Sequence, residues 1–305
     1  MCPVSLVPYV CGAGASTPGA ELGAVYCQDH GLTEKLAEHG ISAVWAADAN
    51  MHWNGPYGQS AHQSLLNQGS PERREAVLWH CQATAENVAA ELRSGNRVIA
   101  IGGDHSMAAG SVSGVQMALG KETRIGVIWV DAHPDLHTFD SSTSKALHGM
   151  PLANLLGLDD TLSVPEVCSP VILPENLLYF GLRDIDEGEK ENAAKHGVKL
   201  FTMEELRRQD MAHVIQDAVK NLSLTCDHIV LSLDLDGFDP VYAPATGTPV
   251  PGGFTPEEIW PLLAGIVRGY SVPLIDVVEF NPTLPGAEKT FAFIIDMLAA
   301  ILPRG

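Results

Sequence analysis

The chain has 305 residues, 46% of them hydrophobic, with a formal net charge of −19. It is long and apolar enough to bury a sizeable core. The acid surplus excludes nucleic acid and anionic membranes as partners, since both would be repelled; it serves solubility, or the attraction of a cationic substrate.

Taken in chain order, short apolar runs predict strands at 6–10, 43–46, 97–101, 124–130, 177–180, 199–201, 228–233 and 274–278. Helical patterns fall between them, at 71–93, 106–117, 184–196, 211–222, 255–268 and 289–302. Two helix starts carry clear signals, Ser70-Pro71-Glu72 and Thr255-Pro256-Glu257-Glu258, where a hydroxyl caps and proline takes the first turn. This alternation predicts an α/β fold with a parallel sheet covered by helices on both faces. No Pro/Ser-rich linker, charge block or repeat divides residues 1–305, which read as a single catalytic domain. The start, Met1 to Cys11, lacks a basic segment followed by a long apolar core, and no later segment would span a bilayer uninterrupted. Cysteines 2, 11, 27, 81, 168 and 226 form no CxxC pair, and several fall on apparent strands or helices, which predicts buried reduced thiols and a cytoplasmic enzyme.

The most informative feature is a pair of acidic runs. Asp131-Ala132-His133-Pro134-Asp135 follows the apolar segment 125–130, and Asp234-Leu235-Asp236 follows 228–233. In parallel sheets, ligands gather outside the carboxyl ends of the strands. Carboxylates crowded there repel one another and are costly to desolvate unless a cation lies between them. Two further strand ends contribute donors: 97–101 leads through Gly102-Gly103-Asp104 to His105, and 274–278 leads to Glu279. A single histidine after a strand is more often a core residue or a cap. Four strand ends all offering metal-type ligands reverse that reading.

The ligand set constrains the ion. Carboxylates and imidazoles without cysteine disfavour soft-metal and closed structural zinc sites. There are more acids than one ion needs, so a binuclear centre fits best, with manganese first and cobalt, nickel, iron or zinc as substitutes. Two cations sharing a water lower its pKa toward neutrality, which is equipment for hydrolysis.

Seven motifs, in order along nearly the whole chain, resemble the ureohydrolase superfamily (arginase, agmatinase, formimidoylglutamase) and, within it, look like an arginase. They are 102–106, 131–135, 148–151, 181–189, 232–240, 244–249 and 279–282, with a Gly-rich early segment, 12–24, resembling the family's first loop. The resemblance implies a three-layer α/β/α fold around an eight-strand parallel sheet. It also implies two Mn2+ per chain and hydrolysis of the L-arginine guanidinium to L-ornithine and urea by a metal-bridging hydroxide. Carried over, His105, Asp131, Asp135 and Asp234 would hold one ion, and Asp131, His133, Asp234 and Asp236 the other, with Asp131 and Asp234 bridging. Glu279 would pair with the guanidinium, Asp135 would orient the nucleophile and protonate the leaving amine, and His148 would shuttle protons. Asp184 and Asp186 would face the substrate's α-amino group, Ser144 its carboxylate, and Thr246 the guanidinium end. A homotrimer or homohexamer is implied, with a small guanidino molecule as substrate.

Other residues have plainer readings: Asp104 as a turn-stabilising group, Asp239-Pro240 as a turn, and Arg183 with Glu189 as a salt bridge. The departures from the family lie at the amino-acid end. His137 stands where many arginases have Asn, and Ala146 replaces a second Asn before His148. His137 or Lys145 would have to compensate, or the substrate is another guanidino compound: agmatine, guanidinobutyrate or formimidoylglutamate. Two more distant readings are a mononuclear metal-dependent deacetylase and a non-catalytic paralogue, which usually loses ligands.

Overall fold

Alternate residues of each strand face opposite layers, and this alternation organises the molecule. In the computed structural model, which describes residues 4–46 and 69–304, seven strands form one parallel sheet. They are β1 (Val4–Pro8), β2 (Ala43–Trp45), β3 (Arg97–Ile101), β4 (Ile125–Val130), β5 (Leu177–Phe180), β6 (His228–Asp234) and β7 (Leu274–Val278). Their order is β2-β1-β3-β7-β6-β4-β5. Ile99, Ile128, Val130, Leu231 and Leu233 enter the core on one face; Val98, Ala100, Val127, Trp129 and Val230 enter the core on the other. Burial on both faces explains why the strand sequences read as continuous apolar runs instead of alternating ones.

The first face is covered by α1 (Gly23–Asp29), α2 (Leu32–Glu38), α7 (Met203–Arg207), α8 (Met211–Thr225), α9 (Pro256–Gly269) and α10 (Ala287–Ile301). The second is covered by α3 (Pro71–Arg93), α4 (Met107–Leu119), α5 (Pro151–Leu155) and α6 (Glu187–His196). The result is the expected three-layer α/β/α arrangement. Ser70 caps α3 through the Arg73 amide, and Thr255 caps α9 in a capping box with Glu258, as the sequence indicates. The helix expected from 184 starts at Glu187, because Asp186 is its cap residue.

The expected eighth strand at 199–201 is not among the described strands; only an isolated parallel bridge, Leu182 to Thr202, marks its place. The cause is local. Gly197 closes α6 in the left-handed conformation and Thr202 opens α7 with a capping box, so helix ends occupy both flanks and leave no length for a ladder. Cys11, Cys27, Cys81 and Cys226 are buried free thiols and Cys168 is exposed, while Cys2 lies outside the described residues. No helix among the described residues is long and apolar enough to cross a membrane.

Helices α3 and α4 approach so closely that a Cβ on Gly110 would lie 2.2 Å from the Cys81 carbonyl oxygen. Gly110→Val is therefore expected to destabilise the fold by about 1–3 kcal/mol or more. The denaturant midpoint measures this, and an unchanged midpoint would contradict the close packing.

Candidate metal centre and substrate cleft

Strands β3, β7, β6 and β4 are neighbours, so their carboxyl ends lie side by side. That order converts four separate sequence motifs into one site. After β3 the chain turns through Gly102 and Gly103, at φ 92° and 69°, conformations that favour glycine. Asp104 then secures the turn. It accepts from the Gly14 amide at 2.8 Å, the Ala15 amide at 3.2 Å and the Ser106 amide at 3.0 Å, which ties the early loop to the site.

His105 projects from this turn into a group of acids. Its Nδ1 lies 3.0 Å from Asp131 Oδ2, 3.1 Å from Asp135 Oδ2 and 3.0 Å from Asp234 Oδ2. Yet this buried nitrogen has no partner with hydrogen-bond geometry. A second group lies beside it: His133 Nδ1 is 3.4 Å from Asp131 Oδ1 and 3.3 Å from Asp236 Oδ2. Donor atoms roughly 3 Å apart are the edges of a coordination shell whose bonds are about 2.1 Å long. Asp131 offers one oxygen to each group, the geometry of a bridging carboxylate. Asp234 gives Oδ2 to the first group, while its Oδ1 accepts from the Asp236 amide at 2.7 Å. The residues therefore fit a pair of cations.

The electrostatics agree. Burial opposes the imidazolium form of His105, but Asp131, Asp135 and Asp234 outweigh it and hold its pKa well above the usual value. His133 is raised by Asp236 and Asp131 despite its own burial. Burial, reinforced by the charge of Asp131, pushes Asp135 up to about 7. Asp234 is raised by burial and by Asp236, and Asp236 is raised mainly by burial. So many acids in a dry space can be balanced only by protons or by cations.

Glu279 closes the site from β7. Its Oε1 accepts from the His105 amide at 2.8 Å and lies 3.0 Å from His148 Nδ1. Burial would raise Glu279, but the charge of His148 brings it below the ordinary carboxylate value; the same partner lifts His148 up to about 9 against its own burial. Asp135 and Glu279 both have left-handed backbones, at φ 48° and 66°. For non-glycine residues this costs on the order of 1–3 kcal/mol each and is concentrated at functional sites.

A cleft of about 210 Å³ opens over the centre, lined by His133, Asp135, His148, Asp234, Asp236 and, toward the rim, His137, Ser142, Ser144, Ala146, Asp184, Asp186 and Glu189. Its size suits a small molecule. His137 is held at both ring nitrogens, 3.1 Å from Asp186 Oδ2 and 3.1 Å from Ser141 Oγ. Lys145 turns away from the cleft: its ammonium donates to the Phe139 carbonyl and sits 4.8 Å over the Phe139 ring. Thr246 is buried behind the cleft, and its hydroxyl has no hydrogen-bond partner.

Several expectations change. Arg183 forms no salt bridge with Glu189; its guanidinium serves the carbonyls of Gly181, Asp236 and Val250. Glu189 instead accepts from the Leu136 and Asp186 amides. Asp239 is the turn residue it resembles, accepting from the Val241 and Gly252 amides. Sequence reasoning missed Trp129, whose indole donates to Asp131 Oδ2 at 2.8 Å and stacks on His105 at 3.9 Å. It also missed Ser232, 2.8 Å from His105 Nε2, and Thr248, which donates to Asp236 Oδ2 at 3.0 Å. Thr248 lies in the same short motif as Thr246, and Ser232 lies two residues before Asp234, so in both cases position was the available signal.

A parallel α/β/α sheet with carboxylate and imidazole groups clustered at its central strand ends defines a metal-dependent hydrolase. The family model described as "Arginase family" matches residues 3–302. The arginase of Bacillus caldovelox is 33% identical over 304 residues, covering 99% of this chain and 98% of that protein. The arginase of Coccidioides posadasii is 40% identical over 234 residues, 73% of this chain and 72% of that protein. The crystal structure of Bacillus subtilis arginase superposes with a TM-score of 0.85 at 30% identity, covering 100% of this chain and 99% of that one. The structure of Entamoeba histolytica arginase in complex with L-ornithine gives a TM-score of 0.82 at 28% identity, covering 99% of each chain. The chain belongs to the arginase family and is a hydrolase of the arginase type.

Replacing a shared acid should empty the centre. Asp131→Asn and Asp234→Asn are expected to lose metal on gel filtration and at least about a thousandfold in turnover, with the fold retained. Metal analysis beside circular dichroism measures this; a fully metallated, fully active Asp234→Asn enzyme would overturn the ligand assignment. Because cations bind only the folded chain, a chelator should lower the melting temperature of the loaded protein and added Mn2+ restore it. An unchanged melting temperature would count against a resident metal.

Proposed function

We propose that this enzyme hydrolyses L-arginine to L-ornithine and urea, with two Mn2+ ions held by His105, Asp131, His133, Asp135, Asp234 and Asp236. The observation that carries the reading is the convergence of two imidazole–carboxylate groups on Asp131 beneath a small acidic cleft. When bound, the cations supply a water acidified toward neutral pH. The chain's own residues do the rest.

The guanidinium carbon is a poor electrophile because its charge is spread over three nitrogens, so fixed orientation matters. Glu279, whose pKa is lowered by His148 against the effect of its burial, stays ionised and offers its second oxygen to the guanidinium N–H groups. The unpartnered Thr246 hydroxyl supports a contact at the same end. Asp135, which lines the cleft beside His105, accepts a proton from the nucleophile and returns it to the leaving amine. His148 lines the cleft and touches Glu279, which suits it to carry protons between site and solvent.

At the rim, Asp184 and Asp186 receive the substrate ammonium, with Asp186 oriented by His137. Ser144 and Ser142 offer hydroxyls to the carboxylate, since Lys145 is engaged with Phe139. His137 and Ala146 make this end the place where the choice of guanidino compound is made. Cytoplasmic location and assembly into a homotrimer or homohexamer belong to the same reading. The shallow apolar depression formed by Pro256, Trp260, Pro261 and Ala300 supports α9 as a contact face.

The test is turnover of arginine, agmatine, guanidinobutyrate and formimidoylglutamate side by side by the manganese-loaded enzyme, with urea and ornithine as readouts. Arginine is expected to give the highest kcat/KM; rapid turnover of another compound with none of arginine would overturn the assignment. Glu279→Gln should reduce kcat/KM at least about a hundredfold with both ions retained. Wild-type kinetics in that variant would remove Glu279 from the substrate site.

A further inference from the structure

A buried carboxylate with no place in the reaction lies one row beneath the metal centre. Asp276, in the middle of β7, has no solvent exposure. It stands opposite Ala100 of β3 on one side and Ser232 of β6 on the other, and Ser232 stands opposite Trp129 of β4. One row of side chains therefore crosses the four central strands on the face covered by α4. Its neighbours on that face are apolar, among them Val98, Val230, Leu274 and Val278. Packing alone gives no reason for an acid here, and burying one is costly.

Two hydroxyls converge on a single oxygen of this acid. Ser111 of α4 donates to Asp276 Oδ2 at 2.9 Å, and Ser232 donates to it at 3.5 Å. The other oxygen is buried without a partner. Burial lifts the carboxyl to about 7, against the lowering effect of the two hydroxyls.

Ser232 connects this acid to the centre. Its Oγ lies 2.8 Å from His105 Nε2, the ring nitrogen opposite the one that faces Asp131, Asp135 and Asp234. To bind a cation, Nδ1 must be bare, so a neutral His105 carries its proton on Nε2 and donates it to Ser232. A serine hydroxyl is ambidextrous: it can accept from Nε2–H or donate to a bare Nε2. The second arrangement puts the ring proton on Nδ1, where it blocks a cation. An acceptor behind the serine removes the choice, because the serine's own proton is then directed to Asp276.

We propose that Asp276, acting through Ser232, is a positioning residue that holds His105 in the tautomer with a bare Nδ1 and so raises cation affinity at the His105 side of the centre. The proposal rests on the reading of His105 as a metal ligand. Trp129, stacked on the same ring at an interplanar angle of 5°, fixes the plane; Asp276 and Ser232 fix the proton.

The experiment is manganese titration of the chelator-stripped full chain by calorimetry, with the coupled-pair electron paramagnetic resonance signal counting the ions. Asp276→Ala is expected to weaken one of the two ions by about 10–100-fold and leave the other near its wild-type affinity. Ser232→Ala should do the same, and the double variant should be no worse than the weaker single one, since both changes break one chain of contacts. Asp276→Asn, which retains an acceptor oxygen for Ser232, should recover most of the loss. Wild-type affinity at both positions in Asp276→Ala, equal loss at both, or losses that multiply in the double variant would overturn the proposal. A merely structural role would lower the melting temperature of the stripped protein without selective loss of one ion. Should Asp276→Ala fail to fold, the smaller change Ser232→Ala carries the same expectation. A wild-type chain that binds no manganese would defeat the metal-centre reading and this proposal together, whereas two ions bound alike by wild type and variants would defeat this proposal alone.

Discussion

Five carboxylates share a few ångströms of dry space at the ends of three adjacent strands, and their mutual repulsion is the constraint on which the rest of the structure depends. Asp131, Asp234, Asp236 and Glu279 are almost fully buried, and Asp135 is nearly so. Bare charges this close in low dielectric would expel one another. The fold accommodates four of them with donors: the His133 amide and Trp129 indole on Asp131, the Asp236 amide on Asp234, the Thr248 hydroxyl on Asp236 and the His105 amide on Glu279.

The same constraint accounts for the rigidity around the site. Imidazole and carboxylate atoms must be held near 3 Å from one another, so their backbones cannot belong to loose loops. The centre is anchored in strand ends, and the early loop is fastened beneath it by Asp104. Asp135 and Glu279 hold left-handed conformations there, with the Glu279 amide bonded to the Gly103 carbonyl and the Asp135 carbonyl accepting from the Leu152 amide. The rim is built differently: Asp184 and Asp186 are exposed, with side chains near His133 and His137, and Asp186 is also the cap of α6. The clustered acids and imidazoles thus rest on the sheet, and the rim of the cleft rests on the loops above it.

Much of this was legible beforehand. Strand positions followed from apolar runs, because both faces of the sheet are buried; helix starts followed from Ser70 and Thr255, because capping is a contact between near neighbours in sequence. The cluster of acids and imidazoles that could hold a metal followed from acid and histidine at strand ends. Where reading failed, contacts made by the backbone decided. The segment at 199–201 has the composition of a strand, but helix caps on either side take up its backbone. Arg183 and Glu189 have opposite charges and suitable spacing, yet each is engaged by backbone carbonyls or amides instead. Lys145 appeared available to a carboxylate, but Phe139 holds its ammonium.

By itself, then, the sequence determined which chemistry is present and roughly where along each strand it falls, since periodicity, capping and ligand type are properties of short segments. Only the tertiary structure decided which of these groups meet. The order β3-β7-β6-β4-β5 brings residues from 105 to 279 into one site, and it sets His148 against Glu279, Ser232 against both His105 and Asp276, and His137 against Asp186. Those meetings depend on how strands sort within the sheet and how helices pack upon it. These are contests among many weak, long-range contacts, and no short stretch of residues encodes their outcome.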